Sequence, residues 1–231
     1  MPEFFDHAEP LRVVSLTPTQ RDPNRATIRV GAGSGRGKVI ATLSTRLLHD
    51  LGVHVDQLWT KALEGQIADA VLYDKAFRAA TKRLSRRAMS RKMVAEKLRE
   101  LGHATELRDR VLDRLEELAL IDDQAFGRAL LRDLLNRKPA GPQLLKQKLY
   151  QKGITGALAD ELIREATADD EAQRQSAIEF ATKRAASLAR FDAPTRKRRL
   201  YGQLARRGFD PDTIRLAMDA VEDECQGTSD G

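Results

Sequence analysis

A glycine-rich stretch, Ala32–Val39 (AGSGRGKV), carries residue types that cradle phosphate in nucleotide-binding loops. Chemistry of that kind needs a Ser or Thr hydroxyl after the lysine to bind Mg²⁺, and Val39 stands there instead. The residues VIATLS that follow are typical of a strand, whereas a phosphate loop leads into a helix whose N-terminus holds the anion. We therefore interpret the stretch as the tip of a hairpin and expect no nucleotide site.

Other side chains that could perform catalysis are sparse or poorly spaced. The four histidines, His7, His49, His54 and His103, lie far apart or at non-ligand spacing, and the single Cys225 cannot complete a zinc set. Carboxylates are numerous, but their spacing is typical of the exposed face of a helix and not of a catalytic pair. No Ser, His and Asp combination stands out, although the members of a triad need not be close in sequence. The sequence predicts no enzyme, no metal and no cofactor.

Lysine and arginine are the abundant binding groups of this chain, with 40 of them against 34 acids and a net charge of +6. Segments 82–100, 132–152 and 182–207 hold eight, six and nine cations against two, one and one acids. The segments that begin at residues 105, 155 and 210 are acidic instead, with seven, six and six carboxylates against three, one and one cations. The charge therefore alternates in a repeating pattern.

Two interpretations of this pattern stay open. In one, the basic and acidic helices are solvated faces that pair with each other across the repeat. In the other, stacking lines the basic helices into a stripe for phosphates or for an acidic protein groove. The candidates for that stripe are Arg86, Arg87, Arg91, Lys92, Lys146, Lys148, Arg196, Lys197, Arg198, Arg206 and Arg207. Aromatic residues are sparse, which disfavours base stacking and favours sequence-independent contact with a nucleic-acid backbone.

Helices must position these cations, because apolar residues recur three and four apart from about Ile67 to Glu224. The motif Leu-x-x-x-Gly occurs three times in this region, and a phenylalanine lies 25, 27 or 28 residues before each glycine. A glycine just past a helix end, where positive φ is cheap, places the leucine and the residue after the glycine in contact, as in a Schellman cap. The repeat positions are Phe77, Leu98, Gly102, Phe126, Leu149, Gly153, Phe180, Leu204 and Gly208.

The pattern predicts a mainly α protein with three tandem three-helix units of the helix-turn-helix kind, stacked into an elongated curved array. A small β-containing unit precedes them, with strands at Leu11–Thr17, Ala26–Val30 and Val39–Ser44. In that unit we expect a helix around Thr45–Leu51 and another that begins near Val55. The predicted boundaries are 1–66 for the first unit, then 67–121, 122–167 and 168–224 for the repeats, and 225–231 for a disordered tail.

Composition also predicts the cellular location of the protein. No run of 18 or more apolar residues occurs, so no membrane span is expected. The N-terminus MPEFFDHAEPLR lacks a basic flank followed by an apolar core and is not a secretory signal. A single cysteine excludes an internal disulfide and fits a reducing compartment, so we expect a cytoplasmic location.

The segment LIDDQAFGRALLRDLL (Leu120–Leu135), followed by GPQLLKQKLYQKGI (Gly141–Ile154), resembles the bacterial RecX family, the regulators of the RecA recombinase. The third unit, RKRRLYGQLARRGFDPDTI, resembles the closing repeat of that family, and LSRRAMSRKMVAEKLRELG fits the first. The resemblance extends from near Leu72 to Val221. His103 and Leu120 depart from the larger apolar or aromatic residues that the family often has, which concerns local packing.

The resemblance implies a non-enzymatic protein that binds in the groove of the RecA filament on DNA and commonly suppresses ATP hydrolysis, strand exchange and co-protease activity. The family acts in DNA repair, DNA recombination and the SOS response. It implies RecA as a partner, with DNA, single- or double-stranded, bound weakly and without sequence preference, and we expect a monomer. Two alternatives remain: a DNA-binding protein of nucleoid type, whose trihelical units lie along phosphates, and a scaffold in which the basic stripe is irrelevant.

Overall fold

The computed structural model describes residues 9–32 and 35–227, with side chains described up to Asp223. In this part of the chain three β-strands are followed by ten helices, which confirms a mainly α fold with a small β-containing unit at the N-terminus. The chain forms two compact units, residues 1–86 with 97–115, and residues 87–96 with 116–231. The helix Arg91–Glu100 contributes its first residues to one unit and its last residues to the other.

An antiparallel sheet forms the beginning of the first unit. Its strands β1 (Arg12–Pro18), β2 (Arg25–Gly31) and β3 (Lys38–Ser44) lie in sequence order, and the predicted strands fall within them to about one residue at each end. Alternate residues of β2, namely Ala26, Ile28 and Val30, are buried, as expected for a strand with one face on a core. Residues of two helices, α1 (Thr45–Asp50) and α2 (Lys61–Leu84), complete this core.

The helix that was predicted to begin near Val55 begins instead at Lys61. Residues 56–59 lie along the outer edge of β1, where the Val13 N–H donates to the Gln57 carbonyl at 2.9 Å and the Trp59 N–H donates to the Leu11 carbonyl at 2.8 Å. This pairing satisfies backbone groups that an edge strand otherwise exposes. The Thr60 hydroxyl then accepts from the Leu63 N–H at 3.1 Å and caps α2.

A nearly buried ion pair joins the sheet to α2. Arg25 on β2 donates two hydrogen bonds to the Asp74 carboxylate, at 2.9 and 2.8 Å, and a third to the Thr42 carbonyl at 2.7 Å. The hydrogen bond to Asp74 raises the pKa of Arg25. Farther along α2, Phe77 stacks on Tyr73 with ring centroids 6.0 Å apart. Two more helices follow, α3 (Arg91–Glu100) and α4 (Thr105–Glu117).

The second compact unit holds six complete helices. They are α5 (Asp123–Arg137), α6 (Pro142–Gln151), α7 (Gly156–Ala166), α8 (Asp170–Leu188), α9 (Ala193–Arg206) and α10 (Pro211–Gly227). Helices α5 to α7 enclose one core, which includes Leu131, Leu145 and Leu162. Helices α8 to α10 enclose another, which includes Phe180 and Leu204. Each trio therefore buries its own apolar faces.

The ends of two predicted segments differ from the structure or fall outside it. Helix α10 continues to Gly227, three residues past the predicted end of the third repeat, and residues 228–231 of the predicted tail lie outside the described residues. Gly33 and Ser34 of the glycine-rich stretch also lie outside them. After that stretch the chain forms β3, as predicted, and no helix N-terminus follows it.

Candidate interface on the basic helices

Each predicted glycine lies at a helix end with positive φ. The φ angles of Gly102, Gly153 and Gly208 are 80°, 86° and 79°. At the first two corners the residue after the glycine donates to the leucine carbonyl four positions before the glycine, at 3.2 and 3.0 Å, as in a Schellman cap. The three leucines, Leu98, Leu149 and Leu204, are at most 1% exposed. The phenylalanines of the repeat differ more, since Phe180 is buried while Phe77 and Phe126 are half-buried.

The third corner places the end of α9 against the start of α6. The Gly141 N–H donates to the Arg207 carbonyl at 2.8 Å, and the Gln143 N–H donates to the Gly208 carbonyl at 3.1 Å. The unpaired N–H groups of one helix are thus satisfied by the unpaired carbonyls of another, so α6 needs no capping side chain. A Cβ on Gly141 would overlap the Gly208 carbonyl, and a Cβ on Gly208 would overlap the Leu144 backbone.

The second corner places the end of α6 against the start of α3 with different residues. The Ser90 hydroxyl donates to the Lys152 carbonyl, and the Arg91 N–H donates to the Asp123 carboxylate at 2.8 Å. A Cβ on Gly153 would overlap the side chain of Lys92. These contacts explain why residues 87–96 belong to the second compact unit rather than with the rest of the first predicted repeat. The basic helices therefore follow one another, end to start, from α9 through α6 to α3.

The sequence analysis did not predict the residues that contact these corners. Ser90, Asp123 and Gly141 were not among the predicted repeat positions. Gly141 precedes a proline at a helix start, a signal that indicates a cap and says nothing of a contact with a distant corner. The partner of Ser90 is a backbone carbonyl 62 residues away, for which the sequence carries no signal.

Three candidate cations pair with the acidic last helix of their repeat. They are Arg91 with Glu116, Lys146 with Asp160 at 2.7 Å, and Lys197 with Glu222 at 2.8 Å. The hydrogen bond that Lys146 donates to Asp160 raises the pKa of Lys146, and the one that Lys197 donates to Glu222 raises the pKa of Lys197. Pairing across the repeat, the first of the two interpretations above, thus holds for these three. Such exposed pairs contribute little to stability.

The other eight candidates make no ion pair among the described residues. They are Arg86, which lies in the first compact unit, and Arg87, Lys92, Lys148, Arg196, Arg198, Arg206 and Arg207, which lie in the second. Arg207 lies over the ring of Phe180 with 5.3 Å to the centroid, and Lys148 donates to Gln151 at 3.4 Å. Most of the eight are exposed and able to meet phosphates or carboxylates. That they bind RecA or DNA stays a prediction.

Two further cations near the start of α9 were missed by the sequence interpretation. Arg190 and Arg199 lie over the ring of Phe191, with 4.9 and 3.9 Å from guanidinium to centroid. Phe191 is half-buried, so the ring orients both guanidinium groups at the surface. Arg199 adds to the positive charge of α9, and Arg190 adds to that of the connector before it. The sequence contained the signal, because Arg190 directly precedes Phe191 and Arg199 lies eight residues after it.

Two other kinds of feature are absent from the described part of the chain. No three His, Cys, Asp or Glu side chains there are grouped so that they could hold a metal ion. No helix in those residues is long and apolar enough to cross a membrane. His7 and the side chain of Cys225 lie outside the described residues.

Comparison with protein families gives three matches in tandem. Residues 76–115 match the first three-helix domain of RecX, residues 122–163 the second and residues 171–218 the third. Together they span more than half of the chain, and each match includes one basic helix and ends on the helix after it. The N-terminal sheet precedes all three.

Curated relatives and solved structures agree with these matches. The chain is 34% identical to the regulatory protein RecX of Chlorobium phaeobacteroides over 64% of this chain and 93% of the relative, and 37% identical to that of Prosthecochloris aestuarii with the same coverage. A crystal structure of a regulatory protein RecX covers 90% of this chain and 99% of its own, with a TM-score of 0.80 at 22% identity. A structure of RecX from Lactobacillus salivarius covers 65% of this chain and 97% of its own, with a TM-score of 0.57 at 25% identity.

Proposed function

The chain belongs to the RecX family, and we propose on that premise that it regulates the RecA recombinase, mostly as an inhibitor. It lies in the groove of the RecA filament on DNA and suppresses ATP hydrolysis, strand exchange and co-protease activity. Blocked filament growth or promoted disassembly produces all three effects, because each activity needs an intact filament. The curated relatives bear the name of regulatory proteins, which supports the regulatory role.

The observation that carries this proposal is the order of three matched domains, each with one basic helix. The corners at Gly153 and Gly208 join these helices end to start, so their unpaired cations succeed one another along the second unit. A DNA backbone or an acidic protein groove is complementary to such an arrangement. Tyr150 of α6 and Tyr201 of α9 are exposed on the same helices as these cations. Contacts with phosphates and stacking on such rings are both tolerant of sequence, which supports binding without sequence preference.

The first test is the DNA-dependent ATP hydrolysis of RecA, with this protein titrated from well below stoichiometric amounts. We expect strong inhibition at a few molecules per many RecA subunits, because a capped or disassembling filament loses many active subunits for each regulator bound. Inhibition that begins only when the protein coats all the DNA would indicate competition for phosphates. That result would overturn the RecA-specific role and favour a DNA-binding protein of nucleoid type.

A charge-reversal variant tests the basic helices. Arg196, Lys197 and Arg198 are the obvious set, but Lys197 is already paired with Glu222, so Arg206 is the better third residue. The variant R196E/R198E/R206E should inhibit less, and its remaining inhibition should depend less on salt. The control R132E/R137E/K138E changes the same charge at exposed positions outside the candidate set and should inhibit as the parent protein does. Equal inhibition by both variants at all salt concentrations would contradict a role for α9.

A further inference from the structure

An open groove of about 710 Å³ lies in the first compact unit. One side is the C-terminal half of α2, and Thr42 of β3 and Arg25 of β2 also line it. Three cations of α2 line the groove: Lys75, Arg78 and Lys82. Their spacing of three and four residues places them on one face of the helix, with neighbouring Cβ atoms about 5–6 Å apart.

The three cations are available to a ligand. Lys75, Arg78 and Lys82 are all exposed, and none makes an ion pair with another described residue. The only carboxylate that lines the groove is Asp74, and Arg25 holds both of its oxygens at 2.8 and 2.9 Å. Because that ion pair neutralises the one acid present, the groove keeps a net positive charge of three.

The remaining lining indicates what kind of anion fits. Lys and Arg are side chains that contact phosphate in nucleic-acid complexes, whereas the Thr81 and Ser85 hydroxyls of the lining donate to carbonyls of their own helix. Val71 and Ala79 supply the only apolar side chains, whereas a partner helix needs an apolar stripe to pack on. No aromatic side chain lines the groove, so bases have no surface on which to stack.

We propose that this groove binds the phosphodiester backbone of a nucleic-acid strand, without base recognition, through Lys75, Arg78 and Lys82. The hydroxyls of Thr81 and Ser85 already donate to the carbonyls of Arg78 and Lys82, at 3.2 and 3.1 Å, so the three cations alone hold the phosphates. The site lies on α2, a helix that contains none of the eleven candidate cations named from the sequence, and it does not depend on the regulation of RecA. It gives the first compact unit a binding function of its own.

The test is binding of labelled oligothymidylate and of a labelled duplex to the full chain without RecA, measured by fluorescence anisotropy across a salt series. For K75E/R78E/K82E we expect binding weakened by at least about 100-fold near 0.1 M salt, since each lost phosphate contact removes about 0.7–0.9 from the salt slope. The slope itself should fall by about two for a single strand or by about three for a duplex. The groove holds the ligand whose slope falls by the amount expected for it, and the expected fall with both ligands means that it holds either.

Two further variants keep the test decisive. R21E/K38E/K61E changes the same charge at exposed positions of the same unit outside the groove, and K75Q/R78Q/K82Q removes the charge without reversing it. The glutamine variant should lose affinity in the same sense while keeping the thermal unfolding curve of the parent. Equal losses of affinity and slope in the groove variant and in R21E/K38E/K61E would overturn the proposal. So would loss of polyglutamate binding with unchanged oligonucleotide binding, which would make the occupant an acidic protein segment.

Discussion

The corner at Gly102 and the corner at Gly208 share one local structure and differ in everything around it. Both glycines have a φ near 80°, and both follow a helix whose leucine is buried. A Cβ on Gly102 would meet nothing within 4 Å, whereas a Cβ on Gly208 would overlap the backbone of Leu144. The first corner therefore needs glycine for its backbone angle alone, and the third needs it for the angle and for a close contact.

The difference shows that the second and third corners contact the preceding repeat, whereas the first corner makes no such contact. The corner of each later repeat fits against the start of the basic helix in the repeat before it, Gly153 on Lys92 and Gly208 on Leu144. The first repeat has no earlier repeat, and its corner is free of such a contact. Terminal repeats of stacked arrays are commonly atypical in this way.

The largest expected effect comes from Gly208→Ala. The positive φ costs an L-residue about 1–2 kcal/mol, and overlap with a backbone that cannot rotate away costs about 1–3 kcal/mol more. We expect the second unit to lose about 4 kcal/mol of unfolding free energy. Far-UV circular dichroism in urea and amide hydrogen exchange of α6 and α9 would measure the loss.

The matched control for this prediction is Gly102→Ala. It makes the same change at the same φ in open space, so it should cost only about 1 kcal/mol. Trp59 is the only tryptophan and packs on the core of the first unit, so its fluorescence reports on that unit. Equal costs at the two glycines would show that the contact with Leu144 contributes nothing.

An intermediate effect is expected for Gly153→Ala. A new Cβ there meets the side chain of Lys92 rather than a backbone, and a side chain can move in part. We expect a loss of about 2–3 kcal/mol, between the two other corners. In a Lys92→Gly background the same substitution should cost no more than Gly102→Ala, because the overlapping atoms are gone. A double-mutant cycle with no coupling between residues 92 and 153 would contradict this account.

The sequence predicted the elements with local signals and missed the contacts between distant residues. Short runs rich in β-branched residues, bounded by turn residues, identified the three strands, and the spacing of leucine and glycine identified all three corners. Both signals follow from backbone geometry within a few residues. The predicted start of α2 was about six residues too early, because residues 56–59 pair with the edge of β1 and that pairing is a tertiary contact. Helix periodicity carries no signal for such a contact.

For the candidate site, too, the sequence predicted the local feature and not the contacts between helices. Charge counts identified the basic helices, but could not separate Arg91, Lys146 and Lys197, which have acidic partners, from Arg196 and Arg198, which make no ion pair among the described residues. That distinction depends on which helix faces lie together in space. The charge count did not identify Lys75, Arg78 and Lys82 as a group. The first basic segment was counted from residue 82, so it included Lys82 and left out Lys75 and Arg78.

The smallest effect concerns His103, which stands at the first corner where Ile154 and Phe209 stand at the others. Burial, and then repulsion from Lys75, lowers the pKa of His103 below its ordinary value. The unfolded chain therefore binds a proton at a higher pH than the folded chain does. The first unit should lose stability as pH falls through about 6.5 toward the folded pKa, and the loss should level off below it.

His103→Gln removes the titrating group, so its unfolding free energy by Trp59 fluorescence should depend less on pH in this window than that of the parent. Lys75→Met removes the repulsion and should raise the pKa of His103 toward its ordinary value, as measured by NMR titration of the imidazole. If His103→Gln retained the full pH dependence, a group other than His103 would be its source.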